Sequence, residues 1–313
     1  MSNGKHHKAV VGNADNFWLF SSQSGFDLTH PETTTSPPIQ PSITIETTTS
    51  PITVDPAKCA LIIIDMQNYF LSPALGRSKG AGHAAAEQLI RHAIPAARKH
   101  GIRVVWVNWG LTEQEVEELP PAVKRAFGFE ATVDSSGTEK FDGIDASFGV
   151  DKHGVKSNRR HKGVGSDIGA VHDPETGQEI EAGRVLMRDS WNTALYSPLD
   201  ESYEEGRKLD NLPDIWVHKN RMSAMWGVDT ALEQFLKQEG IRTLFFTGVN
   251  TDQCVGGTLT DCFSKGYDVV LLSDGAATTS PDHAQECYEF NAASTYGFMT
   301  SCKRFAAGVE RSI

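Results

Sequence analysis

Residues 241–275 read IRTLFFTGVNTDQCVGGTLTDCFSKGYDVVLLSDG. An apolar run of strand length, IRTLFFT, ends at Gly248. A helical stretch follows from about Thr251 to Gly266, and a second apolar run, YDVVLLSDG, closes the unit. Runs without polar alternation belong to strands buried on both faces, and a strand–helix–strand order makes the two strands parallel.

The same alternation extends upstream. CALIIID (59–65) and IRVVWVNW (102–109) are further buried-strand runs. Between them lies HAAAEQLIRHAIPAARKHG, where Ala86, Leu89, Ile90, Ala93 and Ala97 share one helical face. Pro95 is expected to kink or divide this helix and Gly101 to stop it. TEQEVEELPPAVKRAF is helical with a Pro-Pro interruption, LPDIWVHK (212–219) is a strand, and VDTALEQFLKQEG and SPDHAQECYEFNAAS are helices. The expected architecture is α/β: three layers, with a mostly parallel sheet of about six strands between helices.

Composition agrees with this. Of 313 residues, 39% are hydrophobic and 22% charged, enough apolar side chains for a sizeable core. The net charge of −11, with no long basic run, disfavours nucleic acid and anionic membrane surfaces as partners. No apolar stretch reaches the roughly 18 residues of a membrane span, and no apolar h-region follows the first basic residues. Five cysteines, an odd number without CxxC spacing, argue against a disulfide framework or a zinc site. A cytoplasmic protein is expected, with leaderless export left open.

Two regions depart from the alternation. Residues 1–55 form an N-terminal extension ahead of a 56–313 domain, with the tract PETTTSPPIQPSITIETTTSPITVDP. The spacing of Ile43, Ile45, Ile52 and Val54 suggests an edge hairpin or arm rather than a low-complexity tail. The aromatic cluster Phe17, Trp18, Phe20 and Phe26 is expected to dock on the body or on a second subunit. Residues 128–184 are rich in Gly and Asp, and so long a loop points to a lid, a binding loop or a subunit contact.

Chemistry concentrates at strand ends. Cys254 follows the strand IRTLFFT in what should be the first turn of a helix capped by Thr251 or Asp252. Amides and dipole there favour a thiolate and could hold an oxyanion. Cys59, Cys262, Cys287 and Cys302 read as ordinary small hydrophobes. Asp65 closes LIIID and Lys219 closes DIWVHK. Either alone reads as a cap or a solvated charge. Three strands ending in Asp, Lys and Cys at one sheet edge form a candidate catalytic constellation.

The segments ALIIIDMQNYF, WVHKNRMSAMWG and FFTGVNTDQCVGGTLTDCFSKGYDVVLLSDG resemble the isochorismatase-like cysteine hydrolases from Cys59 to about Ala293. That superfamily includes isochorismatases, nicotinamidases, N-carbamoylsarcosine amidase, and ureidoacrylate and biuret amidohydrolases. The resemblance implies an Asp–Lys–Cys triad at Asp65, Lys219 and Cys254, and a non-proline cis peptide at Val249–Asn250. It also implies an oxyanion hole from the amides of Asn250 and Cys254, no cofactor, and a homodimer or homotetramer acting on a small molecule.

Within the superfamily, nicotinamidases carry an Asp-x-His and a second His after the second strand, binding a metal. Asn108, Trp109 and Gly110 occupy that place, so a nicotinamidase is disfavoured and no metal is expected. Asp151, His153 and His161 mimic the spacing but fall in the long loop. A cysteine at the nucleophile position favours C–N hydrolysis of a small amide or ureido substrate. Isochorismatase activity on a vinyl ether and an inactive binding homologue are the alternatives. Gln67, Tyr69, Phe70, Asn108, Trp109 and Trp191 are candidate pocket walls. Arg159, Arg160 and Lys162 form a basic cluster that reads first as a solvated loop, with contact to a substrate carboxylate from a lid as the alternative.

Overall fold

Six strands hydrogen-bond into one sheet in the computed structural model, which describes residues 6–133, 146–156 and 161–311. They are β1 (Cys59–Ile64), β2 (Arg103–Trp109), β3 (Ile215–Lys219), β4 (Thr243–Val249), β5 (Asp268–Ala277) and β6 (Phe298–Thr300). Their spatial order is β3-β2-β1-β4-β5-β6, and every neighbouring pair is parallel. The chain winds outward from β1 to β3, then crosses back to β4 on the other side of β1. Such a reversal leaves a crevice at the strands' carboxyl ends, here between β1 and β4.

Strand alternation divides the core into two layers. Cys59, Leu61 and Ile63 pack with Ala85, Leu89, Ala93, Phe305 and Val309 on one face. Ala60, Ile62 and Ile64 pack with Leu232, Leu236, Leu259 and Cys262 on the other. Ala81–Gln88 and Ile94–Lys99 are joined by a wide π-type turn, Leu89–Ala93, directly before Pro95. Proline lacks the N–H of the regular ladder and its ring crowds the preceding turn. The widened turn absorbs both, so the expected interruption is a π turn rather than a break.

The N-terminal region differs from an arm. Strands Lys8–Gly12, Phe17–Ser21, Gly25–Leu28, Ile43–Ile45 and Ile52–Val54 form a five-stranded sheet. Ile43 opposes Val54 and Ile45 opposes Ile52 in an antiparallel pair. All four, with Leu28, are at most 2% exposed and belong to the same core as the C-terminal helix Cys302–Glu310. Gly308 permits the approach, because a Cβ there would lie 2.7 Å from the Thr44 carbonyl oxygen. Asp268 ties the two sheets together. It accepts from Trp18 Nε1 at 2.7 Å and Thr243 Oγ1 at 2.7 Å, and His30 Nε2 lies 2.7 Å from it. The aromatic cluster thus meets the body, with Trp18 and Phe26 against Phe298.

Residues 128–184 also hold more structure than a loop. Phe129–Val133 pairs with Ala146–Val150, and Ala170–His172 with Glu179–Glu181, as antiparallel ribbons. Most of these residues are half-buried or exposed, so no apolar run marks them. Among the described residues, no helix is long and apolar enough to cross a membrane.

Candidate active site

β1 ends at Ile64, and Asp65 turns away with φ 54°, its amide donating to the Val107 carbonyl at 2.9 Å. This directs its carboxylate toward the crevice between β1 and β4. Lys219 is the last residue of β3, two strands over, and its Nζ reaches to 3.0 Å from Asp65 Oδ2. Cys254 follows β4, and its Sγ is 3.5 Å from the same ammonium. Residues from β1, β3 and the start of the helix after β4 therefore meet at one point.

Gly248 shapes the β4 turn. Its φ is 110°, and an added Cβ would lie 2.0 Å from the Ile64 carbonyl oxygen, so only glycine fits. The following Val249–Asn250 peptide is cis. Asn250, rather than Thr251 or Asp252, stands at the N-cap, with no side-chain cap hydrogen bond. Cys254 lies in the first, π-type turn Thr251–Val255, which continues into the helix Gly256–Ser264.

The electrostatics reverse one expectation. The Cys254 thiol pKa is pushed up to about 12, first by burial and then by the Asp65 charge, with Lys219 opposing. A helix N-terminus is worth about 0.3–1 kcal/mol, and loss of solvent outweighs it. The resting sulfur is a thiol. Burial likewise raises the Asp65 pKa, against the Lys219 charge and hydrogen bonds from Cys254, Lys219 and the Trp109 amide. A carboxylate whose pKa is raised is a stronger base, which is what removing a thiol proton requires.

The remaining expected residues take different places. Gln67 is wholly buried and clamps the site's floor. Its Nε2 donates to the Trp109 carbonyl at 2.8 Å and the Thr193 carbonyl at 2.7 Å, and its Oε1 accepts from the Trp109 amide at 3.1 Å. Trp109 is also wholly buried, with Lys219 Nζ 3.9 Å above its ring centroid. Asn108, one residue earlier on β2, faces the opposite layer. Its buried amide has no hydrogen-bond partner among the described residues. Tyr69 is buried and stacks edge-on with the half-buried Phe70. Trp191 lines a separate cavity of about 380 Å³ beside Trp216 and His218. It packs against the same core layer as Trp109 and Cys254.

In the long loop, the Asp151 side chain accepts from the His153 and Val155 amides, as in an ordinary turn. Lys162 pairs with Glu130 at 3.0 Å, while Arg159 and Arg160 lie outside the described residues. Met222 escaped the sequence reading. Its Sδ is 3.4 Å from Cys254 Sγ, and its carbonyl accepts from Lys219 at 3.2 Å. Only the shortness of the segment after Lys219 hinted at it.

A parallel α/β sheet with a buried carboxylate, ammonium and thiol at its switch point defines the class. The chain belongs to the isochorismatase-like hydrolases, since the family model described as Isochorismatase domain matches residues 59–153 and 171–301. Solved structures agree in fold. A cysteine hydrolase from Pseudomonas syringae pv. phaseolicola is 17% identical, with a TM-score of 0.52 over 88% of this chain and 100% of that one. A nicotinamidase from Bacillus subtilis is 18% identical, with a TM-score of 0.50 over 78% and 99%. An isochorismatase family protein from Desulfovibrio vulgaris is 17% identical, with a TM-score of 0.50 over 78% and 94%.

Proposed function

We propose that the protein is a cysteine hydrolase that cleaves a C–N bond of a small amide or ureido substrate through a thioester. The observation that carries this reading is the convergence of Asp65, Lys219 and Cys254 within 3.5 Å of one ammonium nitrogen. Family membership supports hydrolysis, and a cysteine as nucleophile favours acyl transfer over vinyl-ether cleavage.

Asp65 takes the Cys254 proton as Sγ attacks the carbonyl carbon, and the carbonyl π pair moves onto oxygen. The amides of Asn250 and Cys254 stabilise that oxyanion. Its collapse breaks the C–N bond, and Asp65 returns the proton to the leaving nitrogen. Water then attacks the thioester while Asp65 accepts its proton. The second collapse releases an acid, and Cys254 leaves as a thiolate that regains its proton from Asp65. Lys219 keeps the carboxylate oriented and balances charge throughout.

The test is a panel of amide, ureido and vinyl-ether compounds offered to the wild type and to Cys254→Ala, with mass spectrometry of the quenched protein. Turnover of a C–N substrate, an adduct on Cys254 and an inert variant are expected. Near-normal turnover by Cys254→Ala would end the proposal, and activity confined to the vinyl ether would replace it with the isochorismatase reading.

A further inference from the structure

Lys219 is over-subscribed. Its Nζ lies 3.0 Å from Asp65 Oδ2, 3.1 Å from the Arg221 carbonyl, 3.2 Å from the Met222 carbonyl and 3.5 Å from Cys254 Sγ. A primary ammonium has three N–H bonds for these four acceptors; the two carbonyls and the sulfur take hydrogen bonds, Asp65 Oδ2 is held as an ion pair, and the contact to sulfur is the longest of the four. Once Asp65 removes its proton, the sulfur carries a full charge on a residue only 5% exposed, where a second donor beside Lys219 stabilises it.

One donor beside it has no other use. Trp109 Nε1 is buried and makes no hydrogen bond of standard geometry among the described residues. An indole N–H can only donate. The Lys219 ammonium, 3.9 Å from the Trp109 ring centroid and 3.5 Å from Cys254 Sγ, brings the two side chains together, and the indole acts to lower the thiol pKa. The same side chain presents its ring face to the Lys219 ammonium at 3.9 Å, an attraction that is strongest where both groups are desolvated.

We propose that Trp109 is a further catalytic residue, whose indole N–H donates to Cys254 Sγ in its anionic form while its ring face holds the Lys219 ammonium between Asp65 and the sulfur. This rests on the reading of Cys254 as nucleophile. It makes Trp109 part of the reacting centre, not a wall of the substrate pocket. The indole keeps its own proton, so the step remains the transfer from Cys254 to Asp65, with Trp109 lowering the energy of the product state.

The test separates the N–H from the ring. Trp109→Phe keeps an aromatic face and removes the donor. Site-specific replacement of Trp109 by 3-benzothienylalanine keeps both rings and exchanges N–H for sulfur. Both are made in a Cys287→Ser background, so that alkylation by iodoacetamide reports on Cys254. The benzothienyl protein should melt at the wild-type temperature, alkylate at Cys254 about tenfold more slowly at a given pH, and lose about tenfold or more in kcat. Its alkylation profile should move to higher pH. A benzothienyl protein with the parent's alkylation profile and kcat overturns the proposal, even if Trp109→Phe misfolds. Full activity in Cys254→Ala would instead overturn the nucleophile assignment, so the two failures differ.

Discussion

Lys219 Nζ and Asp65 Oδ2 are 3.0 Å apart, with neither side chain more than 1% exposed. Removing one member of such a pair leaves a buried charge unmatched and costs about 3–5 kcal/mol. Lys219→Met should therefore lose activity and unfold at clearly lower urea concentration. The double variant Asp65→Asn with Lys219→Met should recover most of the stability and none of the activity. A double variant no more stable than Lys219→Met alone would show that the pair is not what the single substitution disturbs.

Cys254 should make the protein sensitive to alkali. Its pKa is raised from the ordinary 9.0 to about 12, so the native state retains a proton that the unfolded chain releases. The associated stability is complete below about pH 9 and is lost as pH rises toward 12, by about 4 kcal/mol at most. Cys59, Cys262 and Cys302 are also raised, so the informative quantity is the difference between wild type and Cys254→Ala. Denaturation curves from pH 8 to 11 should show the wild type losing more. Parallel curves would contradict a buried thiol at this position.

Burial also sets the order of thiol labelling. Cys287 is exposed, whereas Cys59, Cys254, Cys262 and Cys302 are buried. Iodoacetamide should modify Cys287 first at neutral pH, the reverse of what the strand–turn–helix corner alone suggests. In Cys287→Ser, Cys254 should be next, and Asp65→Asn should speed it at a given pH, because the charge that raises the thiol pKa is gone while Lys219 remains. Peptide mapping against time reads the order directly, and early labelling of Cys254 in the wild type would contradict its burial.

The parallel sheet was legible because its strands are buried on both faces and so are written as unbroken apolar runs. The trio was legible for a related reason: Asp65, Lys219 and Cys254 each terminate or follow such a run. What stayed hidden depends on side chains crossing between elements. Nothing in IRVVWVNW separates Trp109, which covers Lys219, from Asn108, which faces the other layer. The docking of Ile43, Ile45, Ile52 and Val54 depends on a glycine about 250 residues later in the chain. The thiol's raised pKa is likewise a property of enclosure, which a cap pattern cannot report.

Gln67 offers a test of how the site is held. Gln67→Leu would strip the partners from the Trp109 and Thr193 carbonyls, at about 1–3 kcal/mol for each buried acceptor. Gln67→Glu should be worse at neutral pH, since a carboxylate would face both carbonyl oxygens. Urea titration should rank wild type above Gln67→Leu above Gln67→Glu. kcat should fall in the same order, because the Trp109 amide donates to both Asp65 Oδ1 and Gln67 Oε1.

Gly308 tests whether the N-terminal sheet is part of the core. A side chain there meets Thr44 O at 2.7 Å and Ile45 at 3.0 Å, both inside the packed layer. Backbone cannot swing aside as a side chain can, so Gly308→Val should force the N-terminal sheet off the Cys302–Glu310 helix. Leu28, Ile43, Ile45, Ile52 and Val54 would then lose their cover together. Limited proteolysis should release a fragment ending before Cys59 from the variant well before the wild type is cut, and the melting temperature should fall by several degrees for the roughly 1–3 kcal/mol that overpacking costs. If the variant resists protease as the wild type does, the two sheets are held by Asp268 and its partners rather than by this contact.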